Sequence, residues 1–337
     1  MNKLFTKKGL VLLFILMFAM IALAGCGGAA TEDNAAGDEA ADTYVMPEKI
    51  VIGASEPGSS WYPVAAAMKD VIEKAYPGTR VDIFYGGGDV NLQALETGDI
   101  DFGITFSVNA ADSVNGHGRF AESGALTNVS GAMGLWTAVL HMVTSPNSGI
   151  NSVEDLKGKT ISTGMQFYAT TSIFNTILDL YGMTLNDMGK VEYATAPDMG
   201  TMFKDKALDF FAVHSTTLAP YPTIEDISVQ TDIKILGLPD DILDQLHEIN
   251  PGHVKAVIPA NLYKGQTEDI VTEGTTAVLA CRKDLDEQLV YNVVSTLVNN
   301  AGVLAQSVPD LVYITKEQSP VGLGIDLHPG AATFYEE

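Results

Sequence analysis

Residues 81–105, VDIFYGGGDVNLQALETGDIDFGIT, read as a strand, a glycine turn, a short helix and a second strand. Val81, Ile83 and Tyr85 alternate with Asp82 and Phe84, the period of a half-buried strand. Gly86, Gly87 and Gly88 let the backbone take positive φ and bring its N–H groups close to a ligand. Asp89 is placed to cap the helix that follows, Leu92 and Leu95 give that helix an apolar side, and Gly98 ends it. Ile100, Phe102 and Ile104 then form the second strand. Glycines ahead of a helix start collect unpaired N–H groups and the positive end of the helix dipole, which suits an anion. The spacing matches neither the dinucleotide fingerprint nor the P-loop, so the bare alternative is a tight turn in an α/β domain.

Working back from this stretch, KIVIG at 49–53 is a buried-type strand and ASEPGSSWY at 54–62 a small-residue loop. Pro63 falls where a first helical residue belongs. Val64, Ala67, Met68, Val71, Ile72 and Ala75 mark one face of a helix that stops at Tyr76-Pro77-Gly78. The result is strand-loop-helix twice over. Two polar loops then lie on the carboxyl edge of a parallel sheet, where open α/β sheets bind ligands.

Working forward, 107–123 is a polar loop or short helix with Asn109, Asp112 and His117. VSGAMGLWTAVLHMVT at 129–144 is longer and more apolar than one lobe's strand requires. KTIST at 159–163 is a strand, GMQFYATTS at 164–172 a polar loop, and Ile173, Phe174, Ile177, Leu178 and Tyr181 form the apolar face of a second amphipathic helix. ALDFFAV at 207–213 repeats the logic of GDIDFGI and leads into a polar run at 214–217. TTAVLAC at 275–281 is a second long apolar strand, and Asp284 and Glu287 are placed to cap the helix after it. Two crossover strands are what a hinged two-lobed protein needs. Lobe 1 is expected at 47–137 and 279–337, lobe 2 at 142–274, and the hinge strands near 132–144 and 274–281.

The amino end has its own logic. Lys3, Lys7 and Lys8 precede an uncharged apolar run at 10–23, shorter than the ~20 residues of a spanning helix. Leu23-Ala24-Gly25-Cys26 resembles a lipobox, so residues 1–25 are expected to be a lipoprotein signal peptide and Cys26 to carry the lipid. An ordinary secretion signal is the alternative. Residues 26–46, rich in Ala, Gly, Thr, Asp and Glu, have too little apolar surface to order and are expected to be a tether. The formal net charge of −23 argues against nucleic acid and acidic lipid headgroups as partners. With Cys26 lipidated, Cys281 stands alone in an apolar run and reads as an inert buried thiol.

Several segments together resemble the TAXI group of solute receptors for TRAP (tripartite ATP-independent periplasmic) transporters. They are Trp61-Tyr62-Pro63, the glycine turn with GDIDFGIT, DLKGKTIS at 155–162, IPANLYKGQTEDI at 258–270, RKDLDEQLVYNVV at 282–294 and LHPGA at 327–331. The resemblance implies an α/β type II periplasmic-binding-protein fold, two lobes joined by crossover hinge strands, closing on a small organic acid or amino acid. It also implies delivery to a TRAP membrane permease, with glutamate and glutamine as ligand types. The glycine turn here is GGGD where the group usually has TGGS, and the later loop MQFYATT replaces a Gly-Ser-Gly-Thr-rich one. Both departures fall in ligand-facing loops.

The expected ligand-binding residues follow from loop position. The first loop and helix start give Ser59, Ser60, Trp61 and Tyr62, and the glycine turn gives Gly87, Gly88, Asp89 and Asn91. Ser107 and Asn109 follow the next strand, and Trp136 lies on the first crossover. The second lobe gives Gln166, Tyr168, Thr170, Thr171, His214 and Thr216. These loops hold no Lys or Arg, which favours a glutamate- or glutamine-type amino acid over a dicarboxylate or a 2-oxo acid. A bilobal enzyme and a signalling receptor are the rivals from other classes. The six histidines show no HExxH or HxxxH spacing and there is no GxSxG elbow, so neither catalysis, a metal nor a cofactor is expected. The protein is read as extracytoplasmic and lipid-anchored to the bacterial cell membrane.

Overall fold

The computed structural model describes residues 44–55, 57, 61–166 and 168–337. The signal, the lipobox with Cys26, most of the tether, and Ser59 and Ser60 lie outside these residues. The first half of the chain supplies β1 (Lys49–Ala54), α1 (Trp61–Ala75), β2 (Arg80–Tyr85), α2 (Gly88–Thr97), β3 (Phe102–Phe106), α3 (Ser107–Asn115) and β4 (Val129–Thr144). Next come β5 (Thr160–Ser162), α4 (Ala169–Leu180), β6 (Lys190–Val191), α5 (Ala196–Lys204), β7 (Phe210–Ser215), α6 (Pro222–Gln230), β8 (Lys234–Leu236), α7 (Asp240–Ile249) and β9 (His253–Ile258). The chain closes with β10 (Ile270–Arg282), α8 (Glu287–Asn299), α9 (Ala301–Ser307) and α10 (Pro329–Glu336).

One sheet runs through the whole body in the order β2-β1-β3-β10-β4-β7-β5-β6, with β8 on β4 and β9 on β10. β1 pairs in parallel with β2 and β3, and β5 with β6 and β7. β10 and β4 are antiparallel to each other and to the strands flanking them. At 16 residues β4 is about 50 Å long. Its first part pairs with β10 beside β3 and its last part with β7. It is therefore buried on both faces, as its nearly unbroken apolar run requires. The long apolar run at 129–144 is β4, and the run at 275–281 is the last part of β10, which starts earlier, at Ile270.

Apolar packing divides along these strands. Ile50, Ile52, Phe102 and Ile104 pack with Val64, Met68 and Ile72 of α1 and Val290, Val294 and Leu297 of α8 in one cluster. Leu92, Leu95 and Ala110 of α2 and α3 form another with Val278 and Ala280 of β10. The remaining half holds two more, one under α4 and α7 and one under α5 and α6. Cys281 is fully buried, and that burial pushes its thiol far above the ordinary range, an inert environment.

Some local expectations shift. α1 starts at Trp61, so Pro63 is its third residue, still within the first turn where no N–H is needed. The α2 N-cap is Gly87, with φ of 94° and no side-chain cap; Asp89 is inside the helix. Asp286, not Asp284 or Glu287, caps α8, accepting from the N–H groups of Gln288 and Leu289.

Candidate functional site

The carboxyl ends of β1, β2 and β3 open toward α4 across the two crossover strands. There Trp61, Gly88, Asp89, Phe106, Asn109 and Arg119 meet Tyr168, Ala169 and Ser172 around a cavity of about 350 Å³. The glycine turn is held from behind. The N–H groups of Gly86 and Gly87 both donate to the Ala54 carbonyl, at 3.2 and 2.7 Å. Asn91 Nδ2 donates to the Ala54 and Ile104 carbonyls, at 3.1 and 2.8 Å, which pins α2 between β1 and β3. Trp61 packs edge-on against Phe106 with ring centroids 5.1 Å apart.

Charge at this cavity is mixed. Asn109 Nδ2 donates to Asp89 Oδ1 at 2.7 Å, and Arg119 Nε lies 3.3 Å from Asp89 Oδ2. Asp112 accepts from Asn250 Nδ2 at 2.8 Å; burial pushes its carboxyl up, with that bond opposing the shift. Arg119 is the cation that sequence reasoning missed. It is the lone Lys or Arg of the polar run 107–123, set between Gly118 and Phe120, and that isolation was the available signal.

A second polar constellation crosses the hinge strands. Glu273 of β10 is fully buried, and its oxygens lie 2.8 Å from His214 Nε2 of β7 and 2.8 Å from His253 Nδ1 of β9. His214 Nδ1 is 3.0 Å from the Thr170 hydroxyl in the first turn of α4. Burial alone would raise the Glu273 carboxyl, but the two imidazoles outweigh it and hold the group down at about 2. Neighbouring His141 is pushed down to about 4, chiefly by burial, and stays neutral at physiological pH. The signal for Glu273 in the sequence was its being the single acid in a long crossover strand.

The remaining expected site residues divide. Trp61, Gly88, Asp89, Asn109 and Tyr168 line the cavity, with Gly87 adjoining as the helix cap. Tyr62 stacks obliquely near Tyr85, centroids 5.9 Å apart. Asn91 is buried and its amide serves the scaffold. Ser107 is also buried, donating to the Gly252 carbonyl at 2.6 Å and accepting from the Thr276 N–H at 2.9 Å. Thr171 braces its own loop through the carbonyls of Thr163 and Met165. Gln166 is exposed, and Thr216 donates to Asp310 at 2.9 Å. Trp136 lies elsewhere, on a separate cavity of about 440 Å³ bordered by β4, β9 and the segment around Tyr313. Trp136 and Phe106 flank Ala277 of β10 from opposite sides, so one strand lies between Trp136 and the Phe106 against which Trp61 packs.

The model of the NMT1-like family matches residues 52–337. Similar solved structures include XAC2383 from Xanthomonas citri bound to ATP, with a TM-score of 0.50 and 11% identity over 86% of this chain and 95% of that one. Another is the periplasmic aliphatic sulphonate binding protein SsuA from Escherichia coli, with a TM-score of 0.48 and 16% identity over 86% of this chain and 84% of that one. Likeness at such identities concerns the fold alone. That fold is an α/β arrangement in which two long strands, β4 and β10, run through a single sheet between two helix-covered halves.

Proposed function

Since the chain belongs to the NMT1-like family, we propose that it is an extracytoplasmic, lipid-anchored solute-binding protein. It captures a small carboxylate-bearing solute between its lobes and delivers it to a TRAP-type membrane permease. One observation carries this reading. A single cavity is walled by the open amino end of α2 from one half of the sheet and by the first turn of α4 from the other. A solute there touches both halves, so closing the halves on it reports occupancy to a partner. The partner and the anchor rest on the resemblance and the lipobox.

The chemistry favours an amino acid of glutamate or glutamine type. A carboxylate fits the N–H groups at the start of α2, where the helix dipole is positive. A ligand ammonium fits Asp89 and Asp112, both on the cavity. Arg119 adds a cation for a second carboxylate, which removes the objection to a doubly acidic ligand drawn from the loops alone. The paired acids still disfavour a ligand with no amine, such as succinate.

Calorimetric and thermal-shift titration with glutamate, glutamine, 2-oxoglutarate and succinate tests this. A true ligand at about 100 times its Kd should stabilise the protein by about 2.7 kcal/mol. Glutamate or glutamine should do so. Stabilisation by succinate alone would overturn the amino-acid preference, and stabilisation by none of the four would overturn the carboxylate reading. Bound ligand should also alter Trp61 emission and leave that of Trp136 unchanged, since only Trp61 borders this cavity.

A further inference from the structure

α2 begins with no side chain capping it. The N–H groups of Gly86 and Gly87 are spent on the Ala54 carbonyl, and those of the first helical turn have no acceptor within the helix. Directly behind this turn stands Thr105, the penultimate residue of β3, whose backbone pairs with Val278 of β10. Its side chain is fully buried and its hydroxyl makes no hydrogen bond. Buried polar groups are nearly always paired, and leaving one unpaired is costly.

The position of that hydroxyl is specific. A Cβ on Gly88 would stand 3.4 Å from Thr105 Oγ1 and 3.6 Å from Cη2 of Trp61. Gly88 and Trp61 both line the cavity. Glycine at 88 therefore keeps a side chain out of the approach between the hydroxyl and the indole. Asn91 Oδ1 is the other unpaired buried oxygen at this turn, but it faces Gly53 and Gly86 on the scaffold side.

We propose that Thr105 is a ligand-binding residue whose hydroxyl donates to one oxygen of the carboxylate that the α2 N–H groups hold by the other. This rests on the carboxylate reading above and adds a donor to it. A planar carboxylate has acceptor positions on both oxygens, so it can take a helix N–H and a side-chain O–H at once. The hydroxyl is closed off from solvent by its neighbours, so engagement accompanies a small displacement of the Trp61 ring or the glycine turn. Thr105 then sets specificity by demanding an oxygen acceptor at this end of the ligand.

Three variants test the assignment by calorimetry against the same four acids, with melting temperature measured on the protein alone. Thr105→Val keeps the shape and removes the hydroxyl. It should weaken binding of whichever acid the wild type takes by about 10- to 100-fold, the range of one hydrogen bond to a charged group. Its melting temperature should not fall, because an unpaired buried hydroxyl has been removed. Thr105→Ser should bind within about 3-fold of wild type, on the same scale. Gly88→Ala should block binding while folding normally, since residue 88 is outside the left-handed region. Equal affinity of Thr105→Val and wild type would overturn the inference alone. Binding of none of the four by the wild type would overturn the underlying reading and the inference with it.

Discussion

Glu273 is the only acid in β10, and it is fully buried where that strand crosses between the halves. Acceptor-only oxygens need protons from both imidazoles, so His214 Nε2 and His253 Nδ1 each carry one. The carboxyl is held at about 2 against an ordinary 4.5. A depressed acid stabilises the fold above its ordinary value, and the contribution is lost as pH falls from about 4.5 toward about 2. Glu273→Gln should therefore lower stability at pH 7 by about 3–5 kcal/mol, the range for breaking a buried pair. It should also flatten the acid limb of the urea-midpoint profile below pH 5. A variant as stable as wild type at pH 7 would mean that the two imidazoles contribute nothing net.

At the level of elements, β3 and β9 pair with successive stretches of β10, and the loop entering β9 is wedged against the start of α3. Gly252 is the tight point. A Cβ there would lie 2.4 Å from both the Ser107 carbonyl and the Val108 nitrogen, which are backbone atoms that cannot swing aside. Asn250 reinforces the joint by donating to the Val108 carbonyl at 3.0 Å and to Asp112 at 2.8 Å. Gly252→Ala should destabilise the protein by about 1–3 kcal/mol or more, as overpacking does. It should also disturb the cavity through Asp112. Thermal denaturation beside ligand titration reads both effects; an unchanged melting temperature would show that the joint can relax.

At the scale of the molecule, residues 45–337 form one compact unit, yet their apolar packing divides between two halves spanned by β4 and β10. Bonds beyond those strands also join the halves, such as Thr216 to Asp310. A solute-driven hinge motion would repack these polar contacts and leave the cores intact. Saturating ligand should then reduce the radius of gyration in small-angle scattering while the amides of β4 and β10 stay slow to exchange. A radius that does not change on confirmed binding would count against closure as the reporting event.

Period and turn chemistry made much of this legible in the chain itself. The strand, glycine turn and helix at 81–105, the two long apolar crossovers and the repeated strand-loop-helix theme all stand where local pattern puts them. Their side-chain spacing and glycine positions are properties of neighbouring residues, so sequence alone fixes them. Trp136, Arg119, Thr105 and Glu273 were not legible in this way. Whether a loop residue faces the cavity or props the sheet depends on partners far away in the chain. Asn91 is spent on carbonyls of β1 and β3, and Ser107 on β10 and the loop before β9. Trp136 was separated from the Phe106 against which Trp61 packs by the insertion of β10 between β3 and β4, a pairing made by residues more than a hundred positions downstream. Elements come from local periodicity, but the roles of polar side chains come from long-range pairing, because a buried polar group takes whichever partner the fold brings within hydrogen-bond reach.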